Sequence, residues 1–448
     1  MSASPEIPHP PWRVPIIGDI VGIDSRRPNQ KTLHQFERLG PIYRRSILGA
    51  GDLTFVGNAN LASTVLDEEH WERYSGRPIR GLRVIAGDGL FTADSSSDAW
   101  RTGHEVLSRG FTQESMRTYH DAMLETSMNL VDHLAASPRQ DAVELLTNRA
   151  ALDIIGKCGS SYPFWDSPES EVFSDALQRS LLFTQSASIP FVGNFIERRG
   201  QKQFSDDVES LHGVIIEVMG NRRKIRDRDA PSGDLLGVMM ESGDLSDAAM
   251  RDQIITFLIA GHETTGNLLA FALFYLARDA ALVEALRRER EAVLAETGTD
   301  RLRYEDVAKL RVTRAVISEV LRLWPTAPGF FRAARCDTRL GDFQFSEGEW
   351  VFLLLLAVHR DEAVWGETAS QFDHKRFLRK LPAGAVYRPF GVGPRACIGR
   401  QFALHEATVV ISELSAAFNI GAGDDTDTPV VDENLTLRPR VAATFERC

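Results

Sequence analysis

The residues best equipped for chemistry lie near the C-terminus. Cys397 sits in the stretch Phe390-Gly391-Val392-Gly393-Pro394-Arg395-Ala396-Cys397-Ile398-Gly399, two residues after Arg395. Gly393 and Gly399 have no Cβ, so the backbone can turn tightly and pass close to a large flat ligand. An apolar run that reads as a helix follows (Phe402, Leu404, Val409, Ile411). Cys397 is therefore expected where a helix begins, where backbone N–H groups and the helix dipole favour a thiolate. A thiolate is a strong axial ligand for haem iron, and Arg395 has the fork to reach a haem carboxylate. Two other readings of this stretch stay open: a buried structural cysteine, and a dinucleotide fingerprint, Gly391-x-Gly393-x-x-Ala396. The second leaves few residues for the strand–helix repeats that such a sheet needs.

A second group lies mid-chain, in Ala260-Gly261-His262-Glu263-Thr264-Thr265. On a helix, Thr264 shares a face with Ala260 and Gly261. Its hydroxyl can compete for the carbonyl four residues back and open the helix locally. Gly261 would let the helix approach a flat ligand, and Glu263 supplies a carboxylate that can relay protons. An ordinary buried helix with a threonine bend is the alternative. Neither His262-Glu263 nor His405-Glu406 is followed by the second histidine of a zinc H-E-x-x-H motif. Two further pairs have helical spacing. Trp100 and His104 both carry an N–H on an aromatic body. Glu319 and Arg322 sit three apart among Val316, Ile317, Leu321 and Trp324, which reads as a buried ion pair in need of more partners.

These residues must be positioned by a chain of 448 residues with 43% hydrophobic and 25% charged residues, a globular composition with room for a core that encloses a cofactor. A net charge of −11 makes nucleic acid an unsuitable partner. The four cysteines show no paired spacing, which fits a reducing, cytoplasmic setting. The proline-rich N-terminus has neither the pattern of a signal peptide nor that of a membrane anchor. Glycines at 49 and 51 between apolar runs signal a hairpin, flanked by helices near 31–39 and 58–68, so a small β-containing lobe is expected over about 20–85. Helical periodicity dominates the remainder, with a long apolar helix over 248–278. Pro and Gly break it at 188–193, and a charged loop is expected at 226–233. Prolines 325 and 328 fix an extended path that makes Ala327, Phe330 and Phe331 pocket candidates.

The cysteine stretch meets every fixed position of Phe-x-x-Gly-x-Arg-x-Cys-x-Gly, and the chain resembles the cytochrome P-450 superfamily of haem-thiolate monooxygenases. The resemblance runs nearly the whole length. It implies a mainly α fold with a small β-containing lobe, the helix-rich triangular prism of that superfamily, as one haem-binding domain over 1–448. It implies haem b held by Cys397 as iron ligand, with Arg395, Trp100, His104, Arg332, Phe390, Gly391 and Gly261 around it. Thr264 and Glu263 match the oxygen-binding motif. Glu319 and Arg322 match the Glu-x-x-Arg pair, completed by Arg376, although His374 and Lys375 depart from the usual segment there. FLIAGHETT, LRLWPTAP, RACIGRQFALHEAT and AGDGLFT are most similar to the haem domain of the self-sufficient bacterial fatty-acid hydroxylase, and this makes Phe91 a gate above the iron. Phe91, Ala260, Ala327 and Phe330 would line the substrate pocket.

What the resemblance implies is a monooxygenase that inserts one atom of O₂ into a small hydrophobic substrate, with electrons ultimately from NAD(P)H. The hairpin that carries a carboxylate-gripping arginine in the related enzyme reads Gly49-Ala50-Gly51-Asp52 here, and Asp52 would repel a carboxylate, which points from a fatty-acid chain towards a natural-product intermediate. The chain ends where a fused reductase would begin, which points to a separate ferredoxin or flavodoxin and its reductase. A peroxide-driven enzyme or a non-catalytic haem sensor or carrier is the alternative. The first would not need Glu263 and Thr264, and the second would be expected to bring an output domain.

Overall fold

Apolar residues all round a helix require protein on every side, and the computed structural model meets that requirement at Asp247–Leu276, a 30-residue helix through the centre of the core. Ser246 caps it by accepting from the Ala249 N–H, and Asp247 lies in its first turn. The structure describes residues 5–24, 26–49, 51–165, 167–187, 193–226 and 233–448. The break expected at 188–193 and the loop at 226–233 lie almost wholly outside these residues.

In chain order, the elements that build the site begin with β1 (Ile42–Ile47), β2 (Gly51–Val56) and β3 (Trp71–Arg73). Helices α1 (Asp98–Ser108), α2 (Val143–Ser160) and α3 (Asp247–Leu276) follow. Then come α4 (Arg311–Leu323), β4 (Gly329–Ala334), β5 (Trp350–Leu354) and α5 (Arg400–Ala417). The five strands form one sheet in the order β1-β2-β5-β4-β3. β1 and β2 make the expected hairpin, Ile47 opposite Gly51. The two neighbouring helices start and end close to expectation, at Pro28–Leu39 and Ala59–Val65.

One expectation needs correcting. The β-rich part is not confined to 20–85, because β2 pairs in parallel with β5 (Thr54 opposite Val351) and β3 pairs with β4 (Arg73 opposite Arg332). A hairpin with one apolar face needs more strands to bury it, and here they come from almost 300 residues away. Pro328 and Gly329 therefore deliver the extended 324–330 stretch directly onto this sheet.

Below the sheet, α4 carries a fully buried ion pair. Arg322 donates through Nε and Nη2 to both Glu319 oxygens at 2.7 Å, and both side chains are wholly buried. Every remaining site is filled. Arg322 Nη1 donates to the His359 and Ala369 carbonyls, Nη2 also to Gln371, and the Asp373 N–H donates to Glu319. Arg376 approaches Glu319 to 3.5 Å and donates to Trp365 O and Thr368. A pair satisfied this completely can be buried without a penalty that unfolds the chain. Truncating one partner strands the other, so Glu319→Ala is expected to cost roughly 3–5 kcal/mol, measured by denaturant unfolding against the parent.

Candidate active site

The cysteine loop closes on itself. The Cys397 N–H donates to Phe390 O at 2.8 Å and the Ala396 N–H to Gly393 O at 3.0 Å. Gly391 and Gly393 take positive φ, 72° and 67°, which side chains resist. A Cβ on Gly393 would lie 2.4 Å from a Glu68 oxygen, so the loop also runs close under the sheet. The helix begins at Arg400, three residues after Cys397, with Gly399 as its cap. Burial pushes the Cys397 thiol up, against the pull of the Gly399 N–H and Arg400. The Gly399 N–H thus favours a thiolate, as expected from sequence, although burial outweighs it. A coordinated metal ion deprotonates its thiol ligand outright. Cys397 is nonetheless accessible. A thiol both crowded and accessible faces a cleft rather than the outer surface.

Helix α3 carries a second accessible patch. Residues 252–259 are buried without interruption, then Ala260 is exposed and Gly261, Glu263 and Thr264 are partly so, before burial resumes at Thr265. An accessible patch halfway along a core helix means that it lines a cleft. Thr264 Oγ1 donates to the Ala260 carbonyl at 2.7 Å, the backbone-directed bond its spacing predicts. Glu263 accepts from Thr436 Oγ1 at 3.2 Å. Gly261 belongs to this patch, but its missing Cβ is not spent on the cleft. A Cβ there would meet Ile155 Cγ1 at 3.0 Å, so its bareness serves the crossing of α3 against α2. His262 is buried, with Nδ1 2.6 Å from Leu258 O.

The loop carrying Phe91 docks on α3 one to two turns before Ala260. The Leu90 N–H donates to Gln253 and the Asp88 N–H to Asp252. Arg395 holds the same loop from below, donating to the Leu90 and Ala93 carbonyls at 3.1 Å, with its guanidinium 5.0 Å over the Trp100 ring. Trp100 and His104 lie ring to ring at 5.0 Å on α1. Among the described residues, the Trp100 indole N–H and the His104 ring have no hydrogen-bond partner. Phe390 lies 5.9 Å under the Arg400 guanidinium. Ala327 is exposed between buried Thr326 and Pro328, and Phe330 is partly buried on β4.

Arg332 departs from its expected role. It is 2% exposed, pairs with Glu68 at 2.9 Å, and donates to the Val65 and Trp71 carbonyls. With its donors spent on the sheet it is a structural tie. The residue opposite it in the ladder, Arg73, was not singled out from sequence. Arg73 Nη2 donates to Phe91 O at 2.7 Å, an acceptor also reached by Arg395, and the guanidinium lies 5.5 Å from the Phe91 ring. Its Nη1 is buried without a partner, and burial lowers its pKa to about 10. A buried charged donor left open calls for an anion. Only strand pairing, invisible in a single motif, could have indicated it.

A family model described as cytochrome P450 matches residues 8–444. The chain belongs to the cytochrome P450 family. It is 34% identical over 452 residues to a bifunctional cytochrome P450/NADPH–P450 reductase of Bacillus cereus, covering 97% of this chain and 41% of that protein. It is 33% identical to such a protein of Bacillus subtilis, over 98% of this chain and 42% of the relative, and 31% to a self-sufficient cytochrome P450 monooxygenase of Exserohilum turcicum, over 96% and 41%. A crystal structure of a cytochrome P450 superposes with a TM-score of 0.87 at 32% identity, covering 99% of both chains, and so supports the fold expected from sequence. The chain thus spans about two fifths of the curated relatives' length. The two Bacillus relatives carry a reductase by name, so the end of this chain is no ground for a separate electron donor. No described helix is long and apolar enough to cross a membrane.

Family membership implies a haem, and the residues present fit it: an accessible thiol facing a cleft, the opening in α3, and open donors on Trp100, His104 and Arg73. Cys397 would hold the iron, and these donors would face the carboxylates, together with the Nε of Arg395, whose Nη groups are committed to the Leu90 and Ala93 carbonyls. On this placement, Arg73→Leu is expected to release haem about tenfold faster, as for loss of a charge-assisted hydrogen bond. Haem transfer to apomyoglobin measures it. Arg332→Leu should instead lower the unfolding midpoint.

Proposed function

We propose that this chain is the oxygen-activating domain of a monooxygenase. It would insert one atom of O₂ into an apolar substrate, with electrons ultimately from NAD(P)H through a redox partner. The observation that carries the reading is the opening in α3, where Thr264 spends its proton on the Ala260 carbonyl beside an accessible Glu263. When bound, the haem would supply the chemistry of O₂ activation, with the thiolate pushing electron density towards O–O cleavage.

The chain's own residues do the rest. Cys397 holds its sulfur in a loop whose turns are made possible by two positive-φ glycines and closed by backbone hydrogen bonds. Thr264 keeps its oxygen lone pairs facing the opening, because its proton is committed to the helix, and can thus hold a water or a peroxide proton. Glu263 is the carboxylate able to take protons from solvent and pass them on. Phe91, Ala260, Ala327 and Phe330 offer apolar surface for the substrate and keep bulk water out.

The substrate we favour is a natural-product intermediate rather than a fatty acid. Asp52 is hydrogen-bonded to Ser46 at 2.6 Å, and Arg44 already lies between Asp52 and Glu349. The other hairpin arginine, Arg45, is buried and donates to the Asp19 and Val21 carbonyls, so the hairpin presents no exposed unpaired cation for a carboxylate. A separate ferredoxin or flavodoxin with its reductase is the donor to try first in reconstitution.

Two measurements test this reading. The dithionite-reduced protein under carbon monoxide should show the thiolate-ligated Soret band, and Cys397→Ser should abolish it; an unchanged band would overturn the ligand assignment. Thr264→Ala should lower product formed per NAD(P)H by about tenfold or more, in the range of a lost proton-transfer contribution. Equal coupling in mutant and parent would sink the proton-handling role.

A further inference from the structure

Glu263 makes no ion pair with any described residue, and its one hydrogen-bond partner among them is a threonine 173 positions later. Behind that threonine stand two asparagines. Thr436 Oγ1 donates to Glu263 Oε2 at 3.2 Å, and the Asn267 side-chain amide donates to Thr436 Oγ1 at 3.1 Å. Asn148 Nδ2 in turn donates to Asn267 Oδ1 at 3.3 Å. We propose that Asn148, Asn267 and Thr436 are positioning residues, a one-way chain of donors that aims the Glu263 carboxylate at the opening beside Thr264. This rests on the reading of Glu263 and Thr264 as the proton-handling pair.

The direction of the chain follows from donor counting. A threonine hydroxyl has one proton. With the Asn267 amide occupying its lone pair, that proton goes to the carboxylate. A carboxylate only accepts, so the Thr436 proton faces Glu263, the Thr436 oxygen accepts from the Asn267 amide, and the Asn267 oxygen is left to face the Asn148 amide. Asn267 is wholly buried and Thr436 is 5% exposed, so water cannot easily replace either partner. In a low-dielectric setting, bonds in series polarise one another.

Local sequence explains how the chain is assembled. Glu263 and Asn267 are four apart on α3, so one hydroxyl can reach both. Gly266 lies beside Asn267 in the interior of a buried helix, where glycine costs about 1 kcal/mol relative to alanine. A Cβ at Gly266 would lie 2.1 Å from Asn148 Oδ1 and 2.6 Å from Asn148 Cα. The glycine is what lets α2 approach closely enough for Asn148 to reach Asn267. The loop with Thr436 is itself fixed, since the Leu437 N–H donates to the Thr326 carbonyl at 2.9 Å, next to Ala327. Glu263 is thus referenced to the same stretch that lines the substrate side.

The test compares Thr436→Val, which keeps the shape without the donor, with Thr436→Ser, which keeps the donor. An infrared difference spectrum of parent against Glu263→Gln identifies the Glu263 carboxylate bands. Thr436→Val should shift them and lower coupling of NAD(P)H to product about fivefold, as for a lost hydrogen bond. Thr436→Ser should restore both, and Asn267→Ala should shift the bands part-way. Carboxylate bands at their parental frequency in both Thr436→Val and Asn267→Ala would overturn the proposal. Coupling unaffected in Glu263→Gln would instead overturn the proton-handling reading, whatever the infrared result. If the valine variant does not fold, the Asn267→Ala spectrum decides alone.

Discussion

A core helix cannot be both sealed and useful. Asp247–Leu276 is apolar on every face, and its burial requires that α2 and α5 close around it. The opening at Ala260–Thr264 is therefore a local exception inside the tightest part of the molecule. It is made by small residues and by a threonine whose hydroxyl is spent on the backbone. The cysteine loop and the Phe91 loop are held by contacts that converge from distant parts of the chain.

The Glu319–Arg322 pair holds the floor of this arrangement. Burial and then Arg322 lower the His359 pKa to about 3, so the ring stays neutral. Only a neutral ring can accept the Arg388 N–H, as His359 Nε2 does at 3.1 Å. Tyr387 next to it donates to the Ser318 carbonyl of α4 at 3.0 Å. The residues leading into Phe390 are therefore fastened to the same helix that carries the ion pair. The pair's worth lies less in its own energy than in where it holds the backbone three residues before the cysteine loop.

How much of this was legible in the sequence depends on whether a role is local. Cys397, Thr264 and the Glu319–Arg322 pair announce themselves because their chemistry and geometry are set within one turn or loop. The hairpin was legible for the same reason. Its partner strands were not, since nothing near Thr54 indicates Val351. Arg332 and Arg73 show the cost. Both are arginines at strand positions, and only the ladder reveals that Arg332 is consumed by Glu68 while Arg73 keeps an open donor. Gly261 was misread because a missing Cβ can serve a ligand or a neighbouring helix, and only the packing of Ile155 distinguishes them. Thr436 lies in a tail with no motif, and gains its meaning from a side chain on another element.

The parallel pairing of β2 with β5 also bears on how the chain is made. Thr54 leaves the ribosome 297 residues before its partner Val351. At ordinary rates of synthesis that is a wait of roughly 15–60 s. Through that interval one edge of the hairpin has unpaired N–H and C=O groups and an apolar face, the combination that recruits other strands. Co-translational folding of this protein must therefore shelter its first strands until Val351 has been made, which makes chaperone supply, more than codon choice near the start, the sensible lever for its yield.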